Sequence, residues 1–119
     1  PQICYDLRFP VWSRNVANYD VLICVANWPR LRQSQWLSLL KARAIENLCY
    51  VVAVNRVGVD GNNVDYGGGS CVIDYRGDVV ADLGNGPMVM RFDMDLESLR
   101  NYRLTFPAHL DADAFTVVP

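Results

Sequence analysis

An alternation of short apolar runs with helical stretches constrains the fold of this chain more than any other sequence feature. Residues 21–26 (VLICVA) and 50–55 (YVVAVN) are rich in β-branched side chains and predict buried strands. Between them, residues 34–48 predict a helix with Ser34 as its N-cap. A strand, a helix and a second strand in succession are typical of a parallel βαβ unit. The sequence therefore predicts an α/β fold.

The two strongest runs are apolar throughout, so we expect both faces of that part of the sheet to be covered. Three later runs also predict strands: residues 71–75, 78–83 and 87–93. In the last of these, Met88 and Phe92 alternate with Arg91 and Asp93, so we expect these strands to be half exposed. Residues 75–78 (YRGD) predict a hairpin turn and thus an antiparallel extension of the sheet.

Other parts of the chain give weaker patterns. The main helix is predicted to bury one stripe of residues: Leu37, Leu40, Ala44 and Leu48. A short helix is expected to begin near Pro10, with Trp12 stacked on Val16, and a third to cover residues 96–102. Residues 58–70 predict an irregular loop, and residues beyond 105 an extended arm packed on something.

Composition excludes several functional classes. The chain has 119 residues with 11 Lys and Arg against 13 Asp and Glu, which predicts one globular domain without the positive charge that binds nucleic acid or a membrane surface. Its apolar runs are far shorter than the roughly 20 residues that span a bilayer. We therefore expect neither a nucleic-acid partner nor a membrane partner.

The spacing of the four cysteines, Cys4, Cys24, Cys49 and Cys71, excludes two kinds of site. No C-x-x-C pair is present, which argues against structural zinc and against a redox dithiol. The last three lie in or beside apolar runs, where a reduced cysteine behaves as a small hydrophobic residue. Reduced cysteines predict an intracellular, cytoplasmic location.

Cys4 differs from the other three in its local sequence. The segment ICYDLRFP places Cys4 at the end of a predicted strand, with Pro10 opening a helix six residues later. Such a strand-turn-helix setting holds a nucleophile on a sharp bend, near backbone N–H groups that stabilise a thiolate and an oxyanion. The alternative is one more buried cysteine at a strand end.

Five motifs resemble one known family. ICYDLRFP at 3–10 is followed by ANWP at 26–29, KARAIEN at 41–47, NRVG at 55–58 and FPAHLDADAF at 106–115. Together they are similar to the carbon-nitrogen hydrolase (nitrilase) superfamily, closest to its ω-amidase branch. The resemblance implies an α-β-β-α sandwich that usually dimerises, Cys4 as the catalytic thiol, a small-molecule amide as substrate, and no metal or cofactor. It also implies attack by the thiolate on an amide carbon, loss of ammonia, and hydrolysis of a thioester.

The family also uses a glutamate base and a lysine upstream of the cysteine, whereas three residues precede Cys4 here. We expect Glu46 to pair with Arg43 rather than act as a base, and Lys41 to be a solvated charge. A Cys4–His109 dyad remains a separate possibility with no motif behind it.

We therefore interpret residues 1–119 as the C-terminal portion of a carbon-nitrogen hydrolase domain that is inactive alone. We expect the N-terminal half and a homodimer partner to cover its apolar elements, with the tail as a crossing arm. The alternative is a non-catalytic association module in which Cys4 is a structural thiol.

Four residues near Cys4 are candidates for the site. The backbone N–H of Tyr5, the residue after the nucleophile, is the expected oxyanion donor. Arg8 either binds a substrate carboxylate or pairs with an acid that braces the site, and the second role is favoured. Asn27 and Trp28 follow an apolar strand, where α/β sites are built, although Trp28 is equally suited to fill the core. A turn at residues 68–70 (GGS) is expected to be a backbone requirement.

Overall fold

The computed structural model describes residues 1–116. Within that range the chain forms these strands and α-helices in order: β1 (Gln2–Ile3), α1 (Pro10–Ser13), β2 (Val21–Ala26), α2 (Gln33–Asn47), β3 (Tyr50–Asn55), β4 (Val57–Val59), β5 (Asp65–Gly67), β6 (Cys71–Ile73), β7 (Val79–Asp82) and α3 (Leu96–Thr105). Three short 3₁₀ helices cover Cys4–Arg8, Arg30–Arg32 and Ala108–Asp111.

Five strands form one mixed sheet in the order β1-β2-β3-β6-β7, which confirms the predicted α/β fold. Strands β1, β2 and β3 are parallel, and the β2–β3 ladder runs from Val21 opposite Tyr50 to Ala26 opposite Asn55. Strands β6 and β7 add to it antiparallel, as predicted. Because parallel strands end at one edge, Cys4, Asn27 and Arg56 leave the sheet side by side.

Helix α2 covers one face of this sheet, and three residues of the predicted stripe, Leu40, Ala44 and Leu48, are buried. Trp36, Leu40 and Ala44 are buried against the strands, whereas Leu37 is exposed. Trp36 takes the place of Leu37 in the core, where its ring lies 5.4 Å from the Trp28 ring. Ser34 is not the N-cap: Arg32 holds that position without a side-chain bond, because a 3₁₀ helix leads directly into α2.

The opposite face of the sheet is not fully covered within residues 1–116, contrary to the expectation for two apolar strands. Helix α3 packs part of it through Leu99, against Tyr50 and Val72. The other apolar side chains on that face stay open: Ile23 is 45% exposed, Val25 44% and Val54 51%. No described element crosses them, so the second face of β2 and β3 is covered only in part within residues 1–116.

Several later predictions are corrected. Residues 87–93 alternate like a strand but pair with no strand in the described chain, although β7 is an edge strand of the sheet. Residues 58–70 are less irregular than predicted because β4 and β5 form a hairpin there. Trp12 and Val16 do not stack: helix α1 ends at Ser13, and Val16 is exposed.

The turn between β6 and β7 is confirmed. Gly77 has φ of 90°, a value that favours glycine, and its N–H donates to the carbonyl of Asp74 at 2.9 Å. Beyond α3, residues 108–111 form a 3₁₀ helix rather than an extended arm, and the last three residues of the predicted arm, 117–119, lie outside the described residues.

Two kinds of feature are absent from residues 1–116. None of the helices has both the length and the apolar content that crossing a bilayer requires. No group of three or more His, Cys, Asp or Glu side chains in this part of the chain is arranged to hold a metal ion.

Candidate active site

Cys4 stands on a strained turn between β1 and the 3₁₀ helix that follows. Its φ is 46°, in the left-handed region that non-glycine residues rarely occupy. Asp6 holds the turn from both sides: its Oδ2 accepts from the Ile3 N–H at 3.0 Å, and its backbone carbonyl accepts from the Phe9 N–H at 3.0 Å. The strand-turn-helix geometry predicted for Cys4 is therefore present.

A buried arginine, Arg43, is hydrogen-bonded to the backbone of this turn. Arg43 of α2 donates from Nη2 to the backbone carbonyl of Leu7 at 2.7 Å and from Nη1 to Glu46 at 2.8 Å. The predicted pairing of Glu46 with Arg43 is thus confirmed. Leu7 is fully buried, so its carbonyl has no water to replace this bond. Helix α2 and the Cys4 turn are consequently joined by a charged hydrogen bond.

Exposure separates Cys4 from the other three cysteines. Cys4 is half-buried, whereas Cys24, Cys49 and Cys71 are buried, and all four are free thiols. Burial raises the pKa of Cys24 to about 11, that of Cys49 to about 12 and that of Cys71 to about 11. These three thiols stay protonated at neutral pH, and Cys4 is the most solvent-accessible of the four thiols.

Cys4 lines two cavities, and Asn27 also lines both of them. The first, of about 470 Å³, lies on the open sheet face and is lined further by Val25, Val54 and Arg56. The second, of about 420 Å³, is lined by all of the predicted site residues: Cys4, Tyr5, Arg8, Asn27 and Trp28. The largest cavity, of about 800 Å³, lies between the sheet and residues 86–92 and contains none of them.

Arg8 brings a positive charge into the second cavity without an acidic partner. Its guanidinium lies over the Trp28 ring, 4.6 Å from the centroid, and its Nη2 donates to Gln35 Oε1 at 2.9 Å. Within residues 1–116 no carboxylate is within ion-pair distance of it. The acid that was expected to brace Arg8 is therefore replaced by an aromatic ring and a neutral amide.

Trp28 serves both of the roles that the sequence left open. Its ring is buried 5.4 Å from the Trp36 ring, and its Nε1–H donates to the carbonyl of Arg32 at 2.8 Å. The same ring forms a wall of the cavity at Cys4. Asn27 beside it is exposed. Tyr5 is exposed too, and as the second residue of its 3₁₀ helix it has a backbone N–H without a partner inside that helix.

Residues 1–104 match the family profile described as carbon-nitrogen hydrolase. The chain belongs to the carbon-nitrogen hydrolase family.

Relatives of this carbon-nitrogen hydrolase chain agree with the ω-amidase resemblance. It is 51% identical over 117 residues to omega-amidase YafV of Escherichia coli, covering 97% of this chain and 45% of that protein. A carbon-nitrogen hydrolase superfamily protein of Xanthomonas campestris, crystallised with an arsenic adduct in its active site, superposes with a TM-score of 0.96 at 47% identity, over 99% of this chain and 48% of that one.

A third relative has a modified active-site cysteine. A mutant of the amidase from Nesterenkonia sp. AN1, with the acetamide moiety of fluoroacetamide added covalently at its active-site cysteine, superposes with a TM-score of 0.71 at 27% identity, over 91% of this chain and 42% of that one. The carbon-nitrogen hydrolase chain thus spans about half the length of each of these proteins.

Three other titratable residues of this carbon-nitrogen hydrolase chain, Lys41, Glu46 and His109, line neither cavity at Cys4. Neither Lys41 nor His109 lines either of the two cavities at Cys4, and His109 sits in the 3₁₀ helix Ala108–Asp111. Glu46 is engaged by Arg43. None of these three residues therefore places an acid or a base beside the Cys4 thiol.

The turn at residues 68–70 is a backbone requirement, as predicted. Gly68 has φ of 67° and Gly69 of 71°, and a Cβ on Gly68 would lie 2.8 Å from the carbonyl oxygen of Gly84. The Gly69 carbonyl accepts from Trp36 Nε1 at 2.9 Å. The Gly68 carbonyl accepts from Nδ2 of Asn55, the last residue of β3, at 2.7 Å, so this turn contacts the end of that strand.

The sequence did not single out Asp6, Arg43 or Asn55 as site residues of this carbon-nitrogen hydrolase. Asp6 lies three residues from Ile3, a spacing at which a carboxylate caps a turn. Arg43 interrupts the apolar pattern of α2 and is 3% exposed. Asn55 ends an apolar strand, as Asn27 follows one. The sequence signal that could have identified these residues is a polar side chain at the end of an apolar strand or within the apolar stripe of a helix.

Proposed function

We propose that this chain supplies the nucleophile of an amidase acting on the ω-amide of a short dicarboxylic or 2-oxo acid. The observation that carries the proposal is the cavity in which the half-buried Cys4 thiol, held on its strained turn, meets the charge of Arg8, which has no acidic partner. The relative named an omega-amidase supports this substrate class.

Cys4 attacks the amide carbon as a thiolate, and the carbon–nitrogen bond breaks as the nitrogen takes a proton and leaves as ammonia. The resulting thioester is attacked by water, which releases the carboxylic acid and returns the thiol. The backbone N–H of Tyr5 donates to the oxyanion in both tetrahedral intermediates. Covalent addition at the active-site cysteine of the Nesterenkonia relative supports a thiol nucleophile here.

Arg8 binds the carboxylate at the other end of the substrate. A guanidinium donates two parallel hydrogen bonds to a carboxylate, and Arg8 has one Nη engaged by Gln35 and no acid to neutralise it. The Trp28 ring fixes the guanidinium plane. A substrate that carries both a carboxylate and an ω-amide therefore fits between Arg8 and Cys4.

The base and the lysine come from outside this chain in our proposal. Ile23, Val25 and Val54 leave an apolar sheet face open beside Cys4, and the remainder of the domain, which carries a glutamate and a lysine, covers it. The complete domain works as a homodimer, and this chain alone is inactive. The four free thiols support a cytoplasmic location.

A hybrid enzyme tests the proposal. This chain replaces the matching part of Escherichia coli omega-amidase YafV, and ammonia release is measured with the ω-monoamide of a five-carbon 2-oxo acid and with a neutral amide. We expect turnover of the carboxylated amide, and in Arg8→Met a KM for it raised about tenfold with little change for the neutral amide. Equal KM changes for both amides would contradict the role of Arg8.

A further inference from the structure

We propose that Asn55 is a positioning residue that sets the charge of Arg8 beside Cys4 by holding the backbone of Trp28. Asn55 borders the first cavity at Cys4 but does not line the second, in which Arg8 and Trp28 meet Cys4, so it acts there through another residue. The inference rests on the proposed role of Arg8 in carboxylate binding.

The Asn55 amide is saturated by backbone groups from two loops. Its Oδ1 accepts from the Trp28 N–H at 2.7 Å, and its Nδ2 donates to the Trp28 carbonyl at 3.1 Å and to the Gly68 carbonyl at 2.7 Å. The side chain is 5% exposed, so water does not compete for these bonds. Two bonds to one residue fix both the position and the orientation of the Trp28 backbone.

The position of Asn55 is itself fixed from the other side. Ser70 Oγ accepts from the Asn55 N–H at 2.9 Å and donates to the Asn55 carbonyl at 3.2 Å. Asn55 is also the last residue of β3, opposite Ala26 at the end of β2. The amide thus joins the end of β3 to Trp28, which lies two residues beyond the end of β2.

The chemistry of the contact selects asparagine. Two carbonyls and one N–H face the side chain, which requires two donors and one acceptor in one planar group. Aspartate has no N–H to donate to the two carbonyls. Alanine leaves the Trp28 N–H and carbonyl without the Asn55 partner, while the Gly68 carbonyl keeps its bond from Gln33 Nε2 at 3.1 Å. Of the residues that hold Trp28, Asn55 holds the backbone, while Trp36 packs the ring.

The consequence for Arg8 follows from its contact with Trp28. The guanidinium lies 4.6 Å from the Trp28 ring centroid, so a shift of that backbone moves the surface on which the charge rests. Gln35 holds the guanidinium at one atom only. Loss of the Asn55 amide therefore weakens the attraction of an anion to the cavity at Cys4 without removing any charge.

The test compares alkylation of Cys4 by iodoacetate, which carries a carboxylate, with alkylation by iodoacetamide, which is neutral. In both cases the thiolate displaces iodide and forms a thioether, so the ratio of the two rates cancels thiol reactivity and reports anion attraction. The full 119-residue chain is used, and peptide mass analysis assigns the label to Cys4. We expect Asn55→Ala to lower the iodoacetate-to-iodoacetamide ratio about threefold, and Asn101→Ala, an exposed change on α3, to leave it unchanged.

Arg8→Met separates this inference from the proposed function. If Arg8→Met leaves the ratio unchanged, the carboxylate role of Arg8 fails and the positioning role fails with it. If Arg8→Met lowers the ratio and Asn55→Ala does not, the positioning inference alone is overturned. Labelling of the buried Cys24, Cys49 and Cys71 reports unfolding. If Asn55→Ala exposes these three thiols, the test uses Asn55→Thr instead, because the threonine hydroxyl keeps one hydrogen bond. A lowered ratio in that variant supports the inference, and an unchanged ratio overturns it.

Discussion

Arg43 donates from Nη2 to the backbone carbonyl of Leu7 at 2.7 Å, across 36 positions of sequence. This bond joins the middle of α2 to the turn that holds the candidate nucleophile. Both residues are buried, so the charge of Arg43 is compensated by that carbonyl and by Glu46 rather than by water. The turn that carries Cys4 is therefore anchored to the longest helix of the described chain.

Replacing Arg43 tests this anchor. Arg43→Met leaves the buried Leu7 carbonyl without a donor, and we expect the free energy of unfolding to fall by about 2 kcal/mol. Urea denaturation measures the change. Arg100→Met, at an exposed position on α3, is the matched control and should stay within about 0.5 kcal/mol of the unsubstituted chain. Equal stability of the two variants would show that the bond contributes nothing.

Much of the sheet was predictable because its strands carry their own pattern. The bounds of β2 and β3 agree with residues 21–26 and 50–55, since an apolar, β-branched run ends where turn residues begin. The Cys4 turn was predictable for a similar local reason, because a strand end and Pro10 stand six residues apart. Local sequence was sufficient to predict those elements whose structure depends on residues that are close together along the chain.

The remainder depends on contacts that local patterns do not encode. Residues 87–93 alternate correctly for a strand, but a strand also needs a partner strand, and these residues pair with none in the described chain. No local pattern indicates the backbone bonds of the Asn55 side chain, because they link residues 13 and 27 positions apart. Covering of the second sheet face was mispredicted because apolar content does not say which element supplies the cover.

Cysteine reactivity distinguishes a nucleophile from a structural thiol. At pH 7.5 we expect iodoacetamide to label Cys4 at least about tenfold faster than Cys24, because Cys24 is buried and burial raises its pKa to about 11. Time-resolved peptide mass spectrometry gives the rate for each site. Similar rates at Cys4 and Cys24 would favour the alternative of a non-catalytic association module.

High pH should destabilise the chain through Cys49. Its pKa is about 12 in the folded chain and about 8.5 when unfolded, so the unfolded form loses the proton first as pH rises. The stabilisation is complete below about pH 8.5 and is lost as pH rises toward 12. In Cys49→Ala the free energy of unfolding should fall less steeply over about pH 9.5 to 11, by up to about 1.4 kcal/mol per pH unit. If urea unfolding shows the same pH dependence of the free energy of unfolding in Cys49→Ala and in the unsubstituted chain, the raised pKa of Cys49 is contradicted.

The open sheet face should make the isolated chain associate. Ile23, Val25 and Val54 form an exposed apolar strip, and such strips cause proteins to self-associate. We expect light scattering after gel filtration to show oligomers, and the double variant Ile23→Thr, Val25→Thr to shift them toward monomer. Glu97→Thr, a change in the first turn of α3 and away from the strip, serves as the control. A monodisperse monomer of the unsubstituted chain that melts cooperatively would contradict the half-domain interpretation.

Ammonia release by the hybrid enzyme, compared between Cys4→Ala and Cys71→Ala, tests the central claim most directly. Cys71 is a buried thiol in β6, so its replacement controls for the loss of a sulfur atom. If Cys4 is the nucleophile, Cys4→Ala lowers kcat by at least about a thousandfold, while Cys71→Ala keeps most of the activity. Comparable turnover by Cys4→Ala and by the unsubstituted hybrid would contradict the account.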